Sequence, residues 1–139
     1  MEPDPPPILF FDGYCGLCDR FVSRVLADPN AGRLRFSPLQ GETFRALLER
    51  HPELEGVDSM VVLERSADRE RIHLRSDASL FVLARLAGPL ARFSRLLRIF
   101  PRPLRDLGYR AVARTRFAVF GKSDACRLPT PEERALFLP

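Results

Sequence analysis

The chain has 139 residues, a length that fits one domain and leaves little room for a second independent core. Hydrophobic residues make up 45% and charged residues 29%, which excludes a chain that is disordered throughout. The net charge of +4 rests on arginine, because Lys122 is the only lysine, and most of the excess follows Gly88. Either a coding bias toward arginine or an acidic partner explains this charge.

The N-terminal segment 1–7 is rich in proline and predicts a disordered start. It lacks the basic and apolar regions of a secretory signal, and no apolar run approaches the roughly 20 residues that span a bilayer. We therefore expect a cytoplasmic protein, where a close cysteine pair is typical of redox chemistry or metal binding. The predicted domain covers residues 8–121, and residues 122–139 form a C-terminal tail.

Strands and helices alternate along the predicted domain. Short apolar or alternating runs predict strands at 8–11, 33–37, 59–64 and 71–74, the last two joined in a hairpin by a polar turn at 65–70. Apolar residues at helical spacing predict helices from Cys15 to Leu26 and at 42–50. A third helix, capped by Ser76-Asp77, reaches about Leu86.

Further helices are expected from the Gly88-Pro89 break to about Phe100, and over 104–120 beyond breaks at Pro101 and Pro103. A short helix is expected near 131–136. The order β-α-β-α-β-β-α predicts an α/β fold with a central four-stranded mixed sheet flanked by helices, in the thioredoxin-like arrangement, with an extra C-terminal helical segment.

A cysteine pair, Cys15 and Cys18, falls at the junction between the first strand and the first helix. The unpaired N–H groups and positive dipole end of a helix N-terminus favour a thiolate over a thiol. We predict that Cys15 is the nucleophile. Cys18 follows about one turn later and is predicted to be the resolving thiol, which closes a disulfide with Cys15.

Asp12 ends the first strand and has two candidate roles. It either exchanges a proton with Cys18 or caps the following turn through the N–H groups of Gly13 or Tyr14. The flanking Tyr14 and Gly16 are predicted to contact the substrate.

Cysteine pairs at this spacing also form half of many zinc sites. A second pair of zinc ligands is not apparent here, because His51, His73 and Cys126 lie far apart in the sequence. No metal and no cofactor are predicted. Cys126 is either a tail thiol or a third redox partner that folds back toward Cys15.

Several segments together resemble the DCC family of thiol-disulfide oxidoreductases. They are the Asp-x-x-Cys-x-x-Cys motif of Asp12, Cys15 and Cys18, the segment 75–78, and the C-terminal signature made of Tyr109-Arg110, 114–117, 120–122 and Cys126. The resemblance covers about residues 8–129. It implies a thioredoxin-like fold and a disulfide or dithiol substrate, which is either a protein or a small thiol such as glutathione.

Two features depart from thioredoxin itself. No tryptophan precedes the cysteine pair, and Ser59 stands where thioredoxins place a cis-proline that holds the substrate chain. Asp58 and Ser59 are therefore predicted to supply polar substrate contacts facing the sulfurs.

Two further groups of polar residues have either a role in the site or a purely structural role. Ser76 and Asp77 either line the site or cap a helix. Arg116, together with Arg110, Arg114 and Lys122, either binds an anionic substrate and stabilises the thiolate or forms a solvated helical face.

Two functions without redox turnover compete with this prediction. In the first, a basic module lies weakly on an acidic membrane surface through the arginines at 92, 95, 98, 102 and 105 beside apolar residues at 96, 97, 99 and 100. The alternative places those apolar residues in the core. In the second, the arginines bind nucleic acid. We do not expect this, because no binding motif is recognisable and few aromatic residues accompany the basic run.

Overall fold

Four strands form one mixed sheet in the computed structural model. It describes residues 5–12, 16–57, 59–66, 68–119, 131 and 134–139, with 16–19 and 116–119 described through their backbone. The strands are β1 (Ile8–Phe11), β2 (Arg35–Pro38), β3 (Val61–Ser66) and β4 (Arg69–Leu74), in the order β2-β1-β3-β4. β1 runs parallel to β2 and antiparallel to β3, which pairs antiparallel with β4. The predicted fold class, a thioredoxin-like α/β arrangement, is confirmed.

The β3–β4 hairpin is tighter than predicted. Residues 65 to 70 were expected to form the turn, but Arg65 pairs with Glu70 and Ser66 with Arg69, so only residues 67 and 68 lie between the strands. Two-residue connections suit the twist of a hairpin and let the ladder continue to its end. Polar residues are compatible with pairing here because this end of the hairpin is largely exposed to solvent.

Five α-helices lie between and after the strands within the described ranges. They are α1 (Gly16–Leu26), α2 (Glu42–Arg50), α3 (Arg75–Leu83), α4 (Pro89–Leu97) and α5 (Arg102–Val119). Pro103 was expected to break the chain, but it occupies the first turn of α5, where a missing N–H costs no hydrogen bond. For the same reason Pro89 begins α4, after Gly88 as the N-cap residue.

The two faces of β1 carry the two halves of the core. All four residues of β1 are buried, as expected for a central strand covered on both sides. Leu9 and Phe11 belong to a cluster with residues of α1 and α3, whereas Ile8 and Phe10 belong to a cluster with residues of α2. The alternation of side chains across the strand therefore fixes which helices cover which face.

The C-terminal residues cover the free edge of β2. Phe137 forms a parallel bridge with Phe36, its ring stacks on the Phe36 ring at a centroid distance of 5.6 Å, and the Leu138 N–H donates to the Phe36 carbonyl oxygen at 2.7 Å. A Cβ at Gly41 would lie 2.8 Å from the carbonyl carbon of Pro139, so this contact requires glycine. The segment protects an edge strand that would otherwise offer unpaired backbone groups.

His73 makes the stability of the fold sensitive to acid. Its ring stacks on Phe81 at a centroid distance of 4.6 Å, and burial lowers its pKa, opposed chiefly by the nearby Glu64 carboxylate. Below about pH 6.5, His73 of the unfolded chain therefore binds a proton more readily than His73 of the folded chain. As a result, the free energy of unfolding decreases when the solution is acidified. A tenfold difference in proton affinity corresponds to about 1.4 kcal/mol.

We expect the variant His73→Phe, which retains a ring against Phe81, to lose less stability than the original chain between about pH 7 and about pH 5. Urea denaturation of both chains at the two pH values measures this difference. Equal losses in the two chains would show that His73 does not titrate differently on folding.

Candidate functional site

The predicted thiol pair lies where the central strand leads into the first helix. β1 ends at Phe11 and α1 begins at Gly16, so Cys15 directly precedes the first helical residue and Cys18 is the third. The predicted strand-to-helix junction is thus present. Gly13, Tyr14 and Cys15 lie outside the described residues, as do the side chains of residues 16–19, and the distance between the two sulfurs is not among the described features.

Asp12 is held at the carboxyl edge of the parallel pair β1–β2. It is half-buried, and the side-chain amide of Gln40 donates to its Oδ1 atom at 3.1 Å. The Leu39 N–H donates to the Phe11 carbonyl oxygen at 2.8 Å, which ties the two strand ends together. Gln40 was not predicted, although the rule that neighbouring parallel strands end at one edge would have placed it near Asp12.

Ser59 lies at the same edge because β3 runs antiparallel to β1. Phe10 is level with Val61, and continuing that register brings Met60 level with Phe11 and Ser59 level with Asp12. Ser59 is buried. The sheet therefore brings Asp12 and Ser59 to one end of adjacent strands, next to the start of α1, whereas Asp58 lies outside the described residues.

Tyr109 on α5 supports this edge in a way that the sequence did not reveal. Its hydroxyl oxygen accepts a hydrogen bond of 3.2 Å from the backbone N–H of Met60, the residue that follows Ser59. The tyrosine was noted only as part of the C-terminal signature. The contact spans 49 positions of sequence, so no local pattern indicates it.

We expect Tyr109→Phe to lower the free energy of unfolding by about 1 to 3 kcal/mol, because the buried Met60 N–H loses its acceptor. Chemical denaturation measures the change. Ala111→Ser, an exposed substitution two positions along the same helix, is the control and is expected to change stability by no more than about 0.5 kcal/mol. Equal stability of Tyr109→Phe and the original chain would contradict a supporting role for the hydroxyl.

An apolar cavity of about 590 Å³ borders this edge. Phe21 of α1, three residues beyond Cys18, lines it together with Met60, and α3, α4 and α5 close the other sides. The lining side chains are largely hydrocarbon, with Ser76, Ser79, Arg105 and Tyr109 as the polar contributors. A cavity of this size and lining suits an apolar group better than a charged one.

The predicted cap of the third helix is wrong. α3 begins at Arg75, its N-cap residue is Leu74, and no side chain caps it. Arg75, directly after β4, has a φ of 54°, in the left-handed region, at the point where the chain turns from the strand into the helix. Ser76 and Asp77 therefore occupy the first turn and direct their polar groups elsewhere.

Ser76 and Asp77 fasten α5 to α3. The Ser76 hydroxyl donates to a carboxylate oxygen of Asp106, and the Asp77 carboxylate pairs with Arg102 Nε at 3.0 Å and with Arg105 at 3.2 Å. Ser76 also lines the apolar cavity. Both polar residues are thus held by side chains of α5, and Ser76 is the one that borders the cavity.

The predicted arginine cluster is described only in part. Arg110 and Arg114 are exposed on α5, and Arg116 belongs to the same helix through its backbone. Lys122 and Cys126 lie outside the described residues. Within the described part of the chain, no group of three or more histidine, cysteine, aspartate or glutamate residues is placed to hold a metal ion.

The mixed sheet, the helix that begins directly after Cys15 and the covering helices define a protein of the thioredoxin-like class. Comparison with known proteins agrees. The family model of DCC1-like thiol-disulfide oxidoreductase matches residues 9–122, and the chain belongs to that family.

Two relatives extend the match along the chain. Uncharacterized protein YuxK of Bacillus subtilis is 33% identical over 139 residues, covering 99% of this chain and 98% of that protein. DCC family protein At1g52590, chloroplastic, of Arabidopsis thaliana is 35% identical over 128 residues, covering 92% of this chain and 73% of that protein. No solved structure matches the chain.

Proposed function

We propose that the protein is a thiol-disulfide oxidoreductase that exchanges disulfides through Cys15 and Cys18. The observation that carries this proposal is the start of α1 at Gly16, because Cys15 is the residue directly before it and a helix N-terminus presents unpaired N–H groups. Those groups and the helix dipole stabilise a thiolate. Membership of the DCC1-like family supports the same chemistry.

The proposed reaction has two displacements. The Cys15 thiolate attacks one sulfur of the substrate disulfide, so that a Cys15–substrate disulfide forms and the other substrate sulfur leaves as a thiolate. Cys18 then loses its proton and attacks the Cys15 sulfur, which releases the second substrate sulfur. The substrate disulfide gains two electrons and the cysteine pair loses them. Running in reverse, the same steps oxidise a dithiol.

Asp12 is the proposed acceptor of the Cys18 proton. It follows the strand that leads to the cysteine pair, and the Gln40 amide fixes one of its carboxylate oxygens at 3.1 Å. An oxygen held in this way is oriented without being neutralised, because the donor carries no charge. The capping role for Asp12 through Gly13 and Tyr14 is compatible with this one.

The apolar cavity points to a substrate that carries a hydrocarbon group beside its disulfide. Phe21 of α1 and Met60 beside Ser59 line the cavity, and we propose that a substrate bound there lies next to the start of α1, which Cys15 precedes. Glutathione, whose surface is mainly charged and amide, fits this lining less well than an apolar protein segment. Tyr14, Gly16, Asp58, Ser59, Ser76 and Arg116 are the proposed contacts around it.

We place the reaction in the cytoplasm, because a reducing compartment returns the pair to its dithiol form.

The pH dependence of Cys15 alkylation tests the proposal. In a chain with Cys18 and Cys126 both replaced by serine, we expect iodoacetamide to react with Cys15 with a midpoint well below about 8.5, the value of an ordinary cysteine. The matched chain that retains only Cys126 is the control for an ordinary thiol. A Cys15 midpoint at or above about 8.5 would contradict an activated nucleophile and with it the proposed function.

A further inference from the structure

The outer side of α4 and the start of α5 carry large apolar side chains that face solvent. Ala91 and Ser94 of α4 are buried against the domain, whereas Phe93 is 53% exposed and Ile99, just after the helix, is 76% exposed. We call the following six exposed residues the apolar patch: Phe93, Leu96, Ile99, Phe100, Leu104 and Leu107. Of the four apolar residues that the sequence left open between core and surface, Leu96, Ile99 and Phe100 are exposed, whereas Leu97 is half-buried and lines the apolar cavity. Phe100 and Leu104 of the patch also border that cavity.

Arginines accompany the apolar patch. The segment 89–119 contains eight arginines and a single acid, Asp106, which gives it a formal charge of +7. The whole chain carries +4, so the remainder carries −3. Arg92, Arg95 and Arg98 are exposed between the patch residues of α4 and the following turn. Because Arg102 and Arg105 pair with Asp77 of α3, the positive charge beside the patch lies chiefly on the exposed Arg92, Arg95 and Arg98.

We propose that the apolar patch and its arginines dock on an anionic lipid bilayer surface. Aliphatic and aromatic side chains that project beside arginines are the composition of an interfacial helix, whose apolar face enters the headgroup region while the basic side chains bind lipid phosphates. The long hydrocarbon stems of arginine allow the guanidinium groups to reach the headgroups while the patch is inserted. This inference does not depend on the redox chemistry of Cys15.

The charge distribution favours a bilayer over a second copy of the chain. A two-fold interface through the apolar patch would bring Arg92, Arg95 and Arg98 of the two copies face to face, which is repulsive. A surface of anionic headgroups attracts these exposed arginines. None of the helices in the described ranges is long and apolar enough to cross a membrane.

Vesicle flotation with the full chain tests the proposal. We expect binding to vesicles of equal parts phosphatidylcholine and phosphatidylglycerol, no binding to pure phosphatidylcholine, and weakening as salt is added. Arg95→Glu combined with Arg98→Glu should lower the apparent affinity by at least about 25-fold, at roughly fivefold for each arginine lost from the surface. Ile99→Ser should lower it by about tenfold, because the inserted hydrocarbon is removed.

A control variant with the same net charge distinguishes binding through the apolar patch from a general attraction of the positive protein to anionic lipid. Arg33→Glu combined with Arg45→Glu makes the same change in net charge at exposed positions elsewhere, and we expect it to retain most of the binding. Cys15→Ser should bind as well as the original chain. Far-ultraviolet circular dichroism confirms that each variant is folded.

Three outcomes would overturn the proposal. The first is failure of the original chain to bind the anionic vesicles. The second is an equal loss in the control pair and the patch pair, which would reduce the effect to net charge. The third is self-association in sedimentation velocity that Ile99→Ser abolishes while vesicle binding is unchanged, which would assign the patch to contact between copies.

Discussion

Replacing Cys15 with serine is expected to lower the turnover of a disulfide substrate by at least about a thousandfold, because a serine hydroxyl is not ionised near neutral pH and the attacking thiolate is lost. Folding should be unaffected, since serine differs from cysteine by one atom. The measurement is the rate of reduction of a small aromatic disulfide in the presence of dithiothreitol, corrected for the uncatalysed rate. Thermal unfolding of the variant supplies the check on folding.

Replacing Cys18 with serine should give a different result. The first displacement still occurs, but no resolving thiol follows, so the chain accumulates as a mixed disulfide with the substrate. Intact-protein mass spectrometry under non-reducing conditions is expected to show a single adduct on Cys15. Turnover falls as well, because release of the second substrate sulfur then depends on an external thiol.

Cys126→Ser is the matched control, since it removes the one cysteine outside the pair. We expect its turnover to lie within about twofold of the original chain, as for a tail thiol with no part in the exchange. Turnover that survives Cys15→Ser but fails in Cys126→Ser would overturn the assignment of the nucleophile. Loss in both variants would instead support the alternative in which Cys126 folds back as a third redox partner.

Elements with a strong local pattern were predictable from the sequence. The apolar run at Ile8–Phe11 is a fully buried central strand, and the helical spacing over 42–50 is α2 with the same bounds. The spacing of apolar residues within one segment depends on which side of the strand or helix is buried, so it can be recognised without knowing the rest of the fold. The pairing of β3 with β4 followed from the short connection between them. The order β2-β1-β3-β4 and the antiparallel direction of β3 against β1 were not predicted.

Contacts between distant segments were not predictable in the same way. The bond from the Met60 N–H to Tyr109, the ion pairs of Asp77 with Arg102 and Arg105, and the bridge from Phe36 to Phe137 each join residues far apart in the chain. A serine and an aspartate near a helix start favour a cap on local grounds alone. At Ser76 and Asp77, the packing of α5 provides better partners and the local preference is overridden.

The apolar face of α4 shows a further limit of sequence patterns. Helical spacing of Phe93, Leu96 and Phe100 predicts that they share a side, but the same spacing describes a side that faces a core and one that faces solvent. The burial of Ala91 and Ser94 decides between them, because it turns the side that carries Phe93 and Leu96 toward solvent. The exposure of Phe93 and Leu96 is what makes this side of α4 available to a membrane surface.

Replacing a buried and an exposed phenylalanine with alanine is expected to change the stability by very different amounts, which tests directly whether the large residues of α4 face solvent. Phe36 in β2 is fully buried and stacks on Phe137, so Phe36→Ala should lower the free energy of unfolding by about 3 to 5 kcal/mol. Phe93 is 53% exposed, so Phe93→Ala should change it by no more than about 0.5 kcal/mol. Urea denaturation monitored by circular dichroism measures both.

The free energy of unfolding of a domain is typically about 5 to 15 kcal/mol, so the loss expected for Phe36→Ala is a large fraction of it. The alanine variant is therefore close to unfolding. Phe36→Leu keeps most of the side-chain volume and should lose less than Phe36→Ala, which gives a second variant if the alanine chain does not fold. A loss at Phe93 comparable to that at Phe36 would show that α4 packs through its large residues after all. The apolar patch would then be part of the core, and neither its exposure nor its docking on lipid would stand.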